Sequence, residues 1–316
     1  MMVLMPKAKL GTKSQRRSGS SATSKSTVRR AVAGTATVNK SAARRPPQSL
    51  ALTVGKTSQA LPVLHGTLSV IISARNEEET LLRLLKQVAR LKPTEIIVVL
   101  NGCRDSSFER ARLSRQAIVV HCPDSAGHDV GRAIGAKLSR GDILLFLDGD
   151  MVIPAPQLAS FAAAVDSGVD VALNDLDSLL PPFGFSDDVI RSKLFLNFVL
   201  GRSDLGVSSM TAVPHALSRH ALESIGYREL MVPPKAQAIS ILNKLRVEKT
   251  RLVNVIKHNR LRPANTGVGN PVEQLIVGDH AEALLTVLSQ RVTSNFLHAE
   301  SLQEQRRQLA LWRNGL

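Results

Sequence analysis

The sequence predicts an α/β protein built on a doubly wound, mostly parallel sheet. Between residues 68 and 148, four short apolar runs alternate with three segments of helical spacing. The fourth run, residues 143–147, has five consecutive apolar residues and stops at two carboxylates, Asp148 and Asp150. Continuous apolar runs are typical of strands buried on both faces, and their alternation with helices favours a parallel sheet.

Each strand and helix predicted between residues 68 and 148, the first half of the domain, is indicated by nearby residues. The predicted strands cover residues 68–73, 95–100, 117–121 and 143–148. The first helix should be capped by Asn76, because three glutamates follow it at the favourable end of a helix dipole, and should end at Pro93. The other two predicted helices begin near Asp105 and span residues 129–139, where small residues allow close packing on the sheet.

The second half is predicted with a looser order. The helices expected there cover residues 154–167, 188–200, 219–225, 233–245 and 271–290, and the strands 169–173, 208–217 and 247–255. Residues 177–186 are predicted to form a loop, and the basic, turn-rich residues 257–270 a mobile loop.

The positive charge is concentrated at the N-terminus. The net charge is +15, and residues 1–65 contain twelve Lys or Arg and no Asp or Glu. This composition predicts a disordered basic tail over 1–65, followed by a globular domain over 66–290 and a C-terminal helical extension over 291–316. The tail could be solvated without a partner, could tether the protein loosely to lipid headgroups, an acidic polymer or nucleic acid, or could be a targeting peptide.

The hydropathy and the cysteines indicate the cellular compartment. No window of the sequence approaches a membrane span. Cys103 and Cys122 show neither metal-ligand spacing nor a disulfide framework, which favours a reducing compartment. We therefore expect a cytoplasmic protein, with peripheral contact at the inner face of the membrane as the variant that the basic tail suggests.

The carboxylates after the fourth strand indicate a metal site. Ligands collect at the carboxyl ends of strands in open α/β sheets, and Mg²⁺ takes one or two carboxylates together with substrate phosphates. The alternative is a strand followed by an ordinary Asp-Gly turn.

Four segments occur in a characteristic order: residues 70–77 (VIISARNE), 98–105 (VVLNGCRD), 131–136 (GRAIGA) followed by Gly141-Asp142, and Asp148-Gly149-Asp150. Over roughly residues 68–288 the chain resembles a family 2 glycosyltransferase of the Rossmann-like GT-A fold, whose DxD motif the last segment matches. The resemblance implies a hexosyl transfer from a nucleotide-diphosphate sugar, above all a UDP-sugar, with Mn²⁺ or Mg²⁺ as cofactor. It also implies a saccharide, lipid-linked or polymer acceptor and no specific nucleic-acid partner.

The resemblance assigns roles to residues of this chain. Asp150 would hold the metal and take part in catalysis, and Asp148 would lie at the ribose or the metal. The base and ribose pocket would be lined by Ala74, Arg75, Asn76, Glu77 and Asn101. Arg132 would lie near the diphosphate, since a guanidinium suits phosphate geometry. Asn101 could instead be a turn residue before glycine, and Arg132 part of a surface ion pair.

His280 is the further metal ligand that the resemblance suggests, because its segment falls where such enzymes supply a late residue near the diphosphate. Imidazole can complete a Mn²⁺ or Mg²⁺ site, although these ions prefer oxygen ligands. The alternative is an Asp cap at a helix start, followed by a solvated histidine.

The sequence departs from the family at the acceptor side. Where the family often has a Glu-Asp pair that includes the catalytic base, residues 231–235 read MVPPK. Glu229 is the nearest acid and our candidate base, with His215 and Asp204 as weaker candidates. Leu100 and Ala133 also stand where the family often has Asp and Asn.

The expected function is metal-dependent, inverting glycosyl transfer. Nucleotidyl transfer is a second enzyme class, but it should show a glycine-rich loop after the first strand, and residues 73–76 contain no glycine. The alternative outside enzymes is a catalytically degenerate binding or scaffold module whose basic tail contacts an anionic polymer or membrane.

Overall fold

The computed structural model describes residues 61–180, 186–255 and 270–295, together with six helical residues between 304 and 311. Nearly all of the predicted basic tail lies outside the described residues, as do residues 257–269 of the predicted mobile loop, residue 256 and residues 181–185.

A seven-stranded mixed sheet forms the centre of the domain. Its strands are β1 (Leu68–Ala74), β2 (Glu95–Asn101), β3 (Ala117–Cys122), β4 (Ile143–Asp148), β5 (Val171–Leu173), β6 (His215–Ser218) and β7 (Val247–Lys249). The spatial order is β3-β2-β1-β4-β6-β5-β7. The first four strands are parallel, β6 runs antiparallel to both β4 and β5, and β7 is parallel to β5. The predicted α/β class with a mostly parallel sheet is confirmed.

Eight α-helices have defined bounds in the described parts of the chain, besides short 3₁₀ helices and the six helical residues between 304 and 311. They are α1 (Leu81–Ala89), α2 (Ser107–Arg112), α3 (Val130–Leu138), α4 (Ala155–Asp166), α5 (Asp188–Val199), α6 (Arg219–Ile225), α7 (Pro233–Leu242) and α8 (Pro271–Asn295). Helix α8 continues through residue 290, where the sequence placed the end of the domain. None of the described helices combines the length and apolarity that crossing a bilayer requires.

Helices cover both faces of the sheet, and they pack on it through side chains of different size. On one face α1 buries Leu81, Leu84, Leu85 and Val88 in the core formed with β1, β2 and β4. On the other face α3 packs closely against β1, because a side chain at Gly131 or Gly135 would collide with Ser73 or Ile71. This close packing brings the first turn of α3 to the carboxyl ends of β1 and β4.

The start of α1 differs from the prediction. The N-cap residue is Thr80, and the helix begins at Leu81. Asn76 has a left-handed backbone (φ 58°), a conformation that asparagine adopts more readily than most residues. Residues 75–80 therefore form a turn before the helix, and the three glutamates belong to this turn.

The strands of the second half are shorter than predicted. β6 begins at His215 instead of residue 208, and β7 ends at Lys249 instead of residue 255. Residues 208–214 are mostly turns and bends whose backbone groups bond to buried side chains instead of a strand neighbour. Hydrophobicity alone does not distinguish such a buried turn from a strand.

Candidate active site

The carboxyl ends of β1, β2 and β4 meet at one edge of the sheet. Ser73 lies opposite Asp148 in the β1–β4 pair, and Ala74 lies opposite Leu100 in the β1–β2 pair. The predicted site residues that follow these strands are therefore neighbours, as expected for a ligand site in an open sheet.

Gly149 allows the Asp-Gly-Asp segment to turn tightly against β1. Its N–H donates to the Ser73 carbonyl at 2.8 Å, and its carbonyl accepts from Thr80 Oγ1 at 2.7 Å. A Cβ atom at this position would lie 2.7 Å from the Cβ atom of Ala74. These contacts fix the segment against the edge of the sheet. The Asp148 side chain, which precedes Gly149, is 31% exposed.

A buried arginine lies beside Asp148. Arg132 is only 3% exposed, with Nη1 2.9 Å from Asp129 Oδ1 and Nη2 3.3 Å from Asp148 Oδ2. Burial alone would lower the pKa of Arg132, but Asp129 and Asp148 raise it above its ordinary value, with a further contribution from Asp150. Arg132 is therefore a buried cation next to the Asp-Gly-Asp segment, and the surface ion pair considered for it is wrong.

Asp129 and His128 extend this charge cluster. The Asp129 carboxylate lies 3.3 Å from His128 Nδ1 and does not cap α3, although Asp129 is the N-cap residue. Burial opposes ionisation of Asp129, but Arg132 and His128 hold its pKa below the ordinary value. The hydrogen bond to Asp129 in turn raises the pKa of His128. Sequence reasoning missed both residues, and their only signal was their position before the Gly131-Arg132 segment.

The turns that follow β1 and β2 interlock. Asn76 Oδ1 accepts from the backbone N–H of Arg104 at 2.8 Å, and the N–H of Glu77 donates to Ser107 Oγ at 2.7 Å. Ala74 and Glu77 are buried, whereas Arg75 and Asn76 are exposed. A polar cavity of about 290 Å³ lies at these turns and is lined by Asn76, Glu78, Glu79, Arg104 and Asp105.

Asn101 at the end of β2 holds the loop after β3. Its Nδ2 donates to the Gly127 carbonyl at 2.5 Å, and its Oδ1 accepts from the Ala126 N–H at 2.8 Å. Gly102 follows with φ 71°, so Asn101 does precede a glycine turn. Its amide group has a donor and an acceptor partner here, and pairing with a base edge stays a prediction.

Comparison with known proteins shows what this part of the chain is similar to. Residues 69–195, which include β1 to β4 and the charge cluster, match the model of glycosyl transferase family 2. This match covers about two fifths of the chain, and it makes this segment similar to that family. A search of curated proteins found no match.

Solved structures show which fold the chain shares. They include glucosyl-3-phosphoglycerate synthase from Mycobacterium tuberculosis in complex with Mn²⁺, UDP-glucose and phosphoglyceric acid, with a TM-score of 0.53 and 19% identity over 70% of this chain and 79% of that chain. The complex of the same enzyme with Mn²⁺, UDP and glucosyl-3-phosphoglycerate gives a TM-score of 0.51 and 21% identity over 70% and 80%. The predicted GT-A fold is confirmed.

His280 lies inside α8, away from any helix start. The residue is 1% exposed, its Nδ1 lies 2.6 Å from the Ile276 carbonyl oxygen, and its Nε2 has no hydrogen-bond partner. Burial, and to a smaller extent Lys193 of α5, lower its pKa to about 4. The solvated histidine behind a helix cap is therefore wrong, and a role of His280 at the metal stays a prediction.

The three candidate bases lie in different surroundings. Glu229 lies in the 3₁₀ helix Tyr227–Met231, with its Oε2 3.0 Å from Lys235 Nζ. His215 is buried and stacks on Phe146, and burial lowers its pKa to about 3. The exposed Asp204 forms an ion pair with Arg202 at 2.7 Å. Only Glu229 is a partly exposed carboxylate held by a cation of the neighbouring helix α7.

The described residues contain no group of three His, Cys, Asp or Glu side chains placed to hold a metal ion. Of the predicted metal ligands, Asp148 and Asp150 offer carboxylate oxygens after β4 at the sheet edge. This donor set fits Mg²⁺ or Mn²⁺, which bind through one or two carboxylates and complete their shell with substrate phosphates and water. A site of this kind becomes complete only with a phosphate-bearing ligand.

Proposed function

We propose that this protein is a metal-dependent, inverting glycosyltransferase that moves a hexosyl group from a UDP-sugar to a hydroxyl acceptor. One observation carries the proposal: the Asp148 and Asp150 carboxylates follow β4 at the edge where β1, β2 and β4 end, with buried Arg132 3.3 Å from Asp148. The synthase from M. tuberculosis, which shares this fold, was crystallised with UDP-glucose and Mn²⁺, which makes these the first probes.

The chemistry of the donor explains why these residue types are needed. Breaking the sugar–oxygen bond builds negative charge on the departing diphosphate, and a divalent cation held by Asp150 and Asp148 would neutralise that charge as a Lewis acid. Arg132 orients Asp148 and contributes a fixed positive charge that burial strengthens. Asp129 limits this charge and holds the guanidinium in place.

We propose Glu229 as the base that accepts the proton of the acceptor hydroxyl. Lys235 Nζ holds the Glu229 carboxylate at 3.0 Å, so one oxygen of the proposed base has a fixed position. Glu229→Gln should lower kcat by about 100-fold, as expected for loss of general-base catalysis, and leave UDP binding unchanged. Asp204→Asn tests the weaker candidate in the same assay and should keep the wild-type kcat, and equal activity of Glu229→Gln and wild type would exclude Glu229 as the base.

Calorimetric titration of UDP with and without Mn²⁺ tests the donor site. We expect wild type to bind UDP much more tightly with Mn²⁺, and Asp150→Ala to lose this enhancement. Asp142→Ala is the matched control, because Asp142 precedes β4 at its opposite end and contacts Thr67. Absence of nucleotide binding by folded wild-type protein would overturn the transferase proposal.

That result would favour the scaffold alternative. One sequence feature supports it, since residues 231–235 lack the carboxylate pair that the family often has there. Anionic-polymer or membrane contact through residues 1–65 would then be the function to test, by salt-dependent binding of the full chain.

A further inference from the structure

We propose that Gln237 of α7 is a positioning residue for the donor site, acting through the backbone of Met210 and the guanidinium of Arg132. This inference rests on the proposed function, because it concerns the carboxylate that would bind the metal and nucleotide. The residues that carry it are Gln237, Asn197, Met210 and Arg132, each no more than 3% exposed.

The connection begins at Arg132. Its Nη2 faces the Asp148 carboxylate at 3.3 Å, and its Nη1, which also bonds Asp129, donates to the Met210 carbonyl at 3.3 Å. The guanidinium is planar and its donors have fixed directions, so a shift of any anchor rotates the whole group. The position of the Met210 peptide therefore helps to set how Arg132 presents itself to Asp148.

Gln237 holds that backbone from the other side. Its Oε1 accepts from the Met210 N–H at 2.9 Å, and its Nε2 donates to Asn197 Oδ1 at 2.8 Å and to the Ser208 carbonyl at 3.3 Å. The three partners determine the amide orientation, since a flipped amide would place its NH₂ group against the Met210 N–H. Gln237 is thus bonded twice to the segment that contains Met210.

Asn197 of α5 completes the support. Its Nδ2 donates to the carbonyls of Gly206 at 2.8 Å and Ser208 at 3.2 Å. The segment 206–210 has no strand neighbours, and these two buried amides replace the hydrogen bonds that a sheet would supply. Buried polar networks of this kind fix one arrangement when every member has a partner, and loosen when one member is removed.

Gln237→Met tests this role, because methionine has a similar length and shape but accepts and donates no strong hydrogen bond. The measurement is the ratio of UDP dissociation constants without and with Mn²⁺, determined by calorimetry on the full chain. We expect this ratio to fall by about tenfold, equivalent to about 1.4 kcal/mol, since Arg132 keeps Asp129 but loses its fixed support at the Met210 carbonyl and no longer faces Asp148 in one orientation. We also expect faster amide hydrogen exchange in the 206–212 segment.

Ser240→Ala is the matched control on the same helix. Ser240 is fully buried, but its hydroxyl donates only to the Ala236 carbonyl one turn earlier. Loss of that group should leave both the Mn²⁺ ratio and the exchange of residues 206–212 within about twofold of wild type. A change in the ratio for Gln237→Met alone would show that the effect is positional, because general destabilisation would leave the ratio of the folded protein unchanged.

If Gln237→Met does not fold, a second variant tests the same role. Asn197→Ser removes the amide at the far end of the network, and we expect a smaller fall in the ratio, about threefold. If the folded variants keep the wild-type ratio, the positioning role is wrong, even where exchange of 206–212 becomes faster. If wild type itself shows no Mn²⁺-dependent UDP binding, the proposed function fails first, and the role of Gln237 fails with it.

Discussion

Replacement of Arg132 by methionine should destabilise the fold measurably. The substitution keeps most of the apolar stem but leaves Asp129, whose side chain is 11% exposed, without its closest cation. Breaking a buried ion pair by removing one partner costs about 3–5 kcal/mol. The Asp148 side chain is 31% exposed and His128 remains near Asp129, so we expect the lower end, about 3 kcal/mol.

The expected change in melting temperature follows from the size of the domain. A loss of 1 kcal/mol lowers Tm by about 2–4 °C in domains of 150–250 residues, so Arg132→Met should melt about 6–12 °C below wild type. Circular dichroism melting curves measure this difference. Asp129→Asn in the same chain should recover part of the loss, because it removes the unpaired buried charge.

The pH dependence gives an independent check. The folded pKa of Asp129 is lowered from 3.8, so its ionised form contributes stability above that value and loses it as pH falls through the folded pKa. The difference between wild type and Arg132→Met should therefore be largest at neutral pH and shrink as the pH falls and Asp129 is protonated, first in the variant, where Arg132 no longer opposes the effect of burial. A melting temperature within about 2 °C of wild type at pH 7 would refute the reasoning about this buried pair.

Two further predictions concern the surroundings of the site. Gly149→Ala should weaken Mn²⁺-dependent UDP binding at least about tenfold, because the added Cβ atom would lie 2.7 Å from the Cβ atom of Ala74. Calorimetric titration measures the affinity, and a wild-type value would contradict this prediction. His215 has a folded pKa of about 3, so stability should be full above its ordinary pKa of 6.5 and fall as pH drops from 6.5 towards 3. The free energy of unfolding can be measured by urea unfolding at several pH values for wild type and His215→Asn. The variant should show a dependence of this free energy on pH that is smaller by up to about 1.4 kcal/mol per pH unit, and an unchanged dependence would count against a buried neutral histidine.

The first half of the fold could be predicted from sequence because its signals are local and agree with one another. The apolar runs of β1, β2 and β4 are buried on both faces, and Pro93 and the small residues of α3 mark the helices between them. The second half was harder to predict. Residues 208–214 are apolar enough for a strand, but distant side chains such as Gln237 and Asn174 bond their backbone and hold them as turns.

Some features of the candidate site could likewise be predicted from the sequence, and others could not. The position of Asp148 and Asp150 follows from the strand that precedes them, so it could be read from the sequence. The partners of Arg132 could not, because Met210 lies 78 residues away along the chain. The charges that surround His280 and Glu229 likewise come from α5, α7 and α8, whose packing no local pattern encodes.

Release of UDP from a UDP-sugar tests the central claim most directly. Wild-type protein with a panel of UDP-sugars should release UDP from one of them in the presence of Mn²⁺, slowly with water and faster with a hydroxyl acceptor. Asp150→Asn should reduce that rate by at least about 100-fold, as expected when a group that holds the catalytic metal is lost, whereas Asp142→Asn should not. Release that is equally fast in Asp150→Asn, or unaffected by removal of Mn²⁺ with a chelator, would contradict the assignment of Asp148 and Asp150 to a metal-dependent donor site.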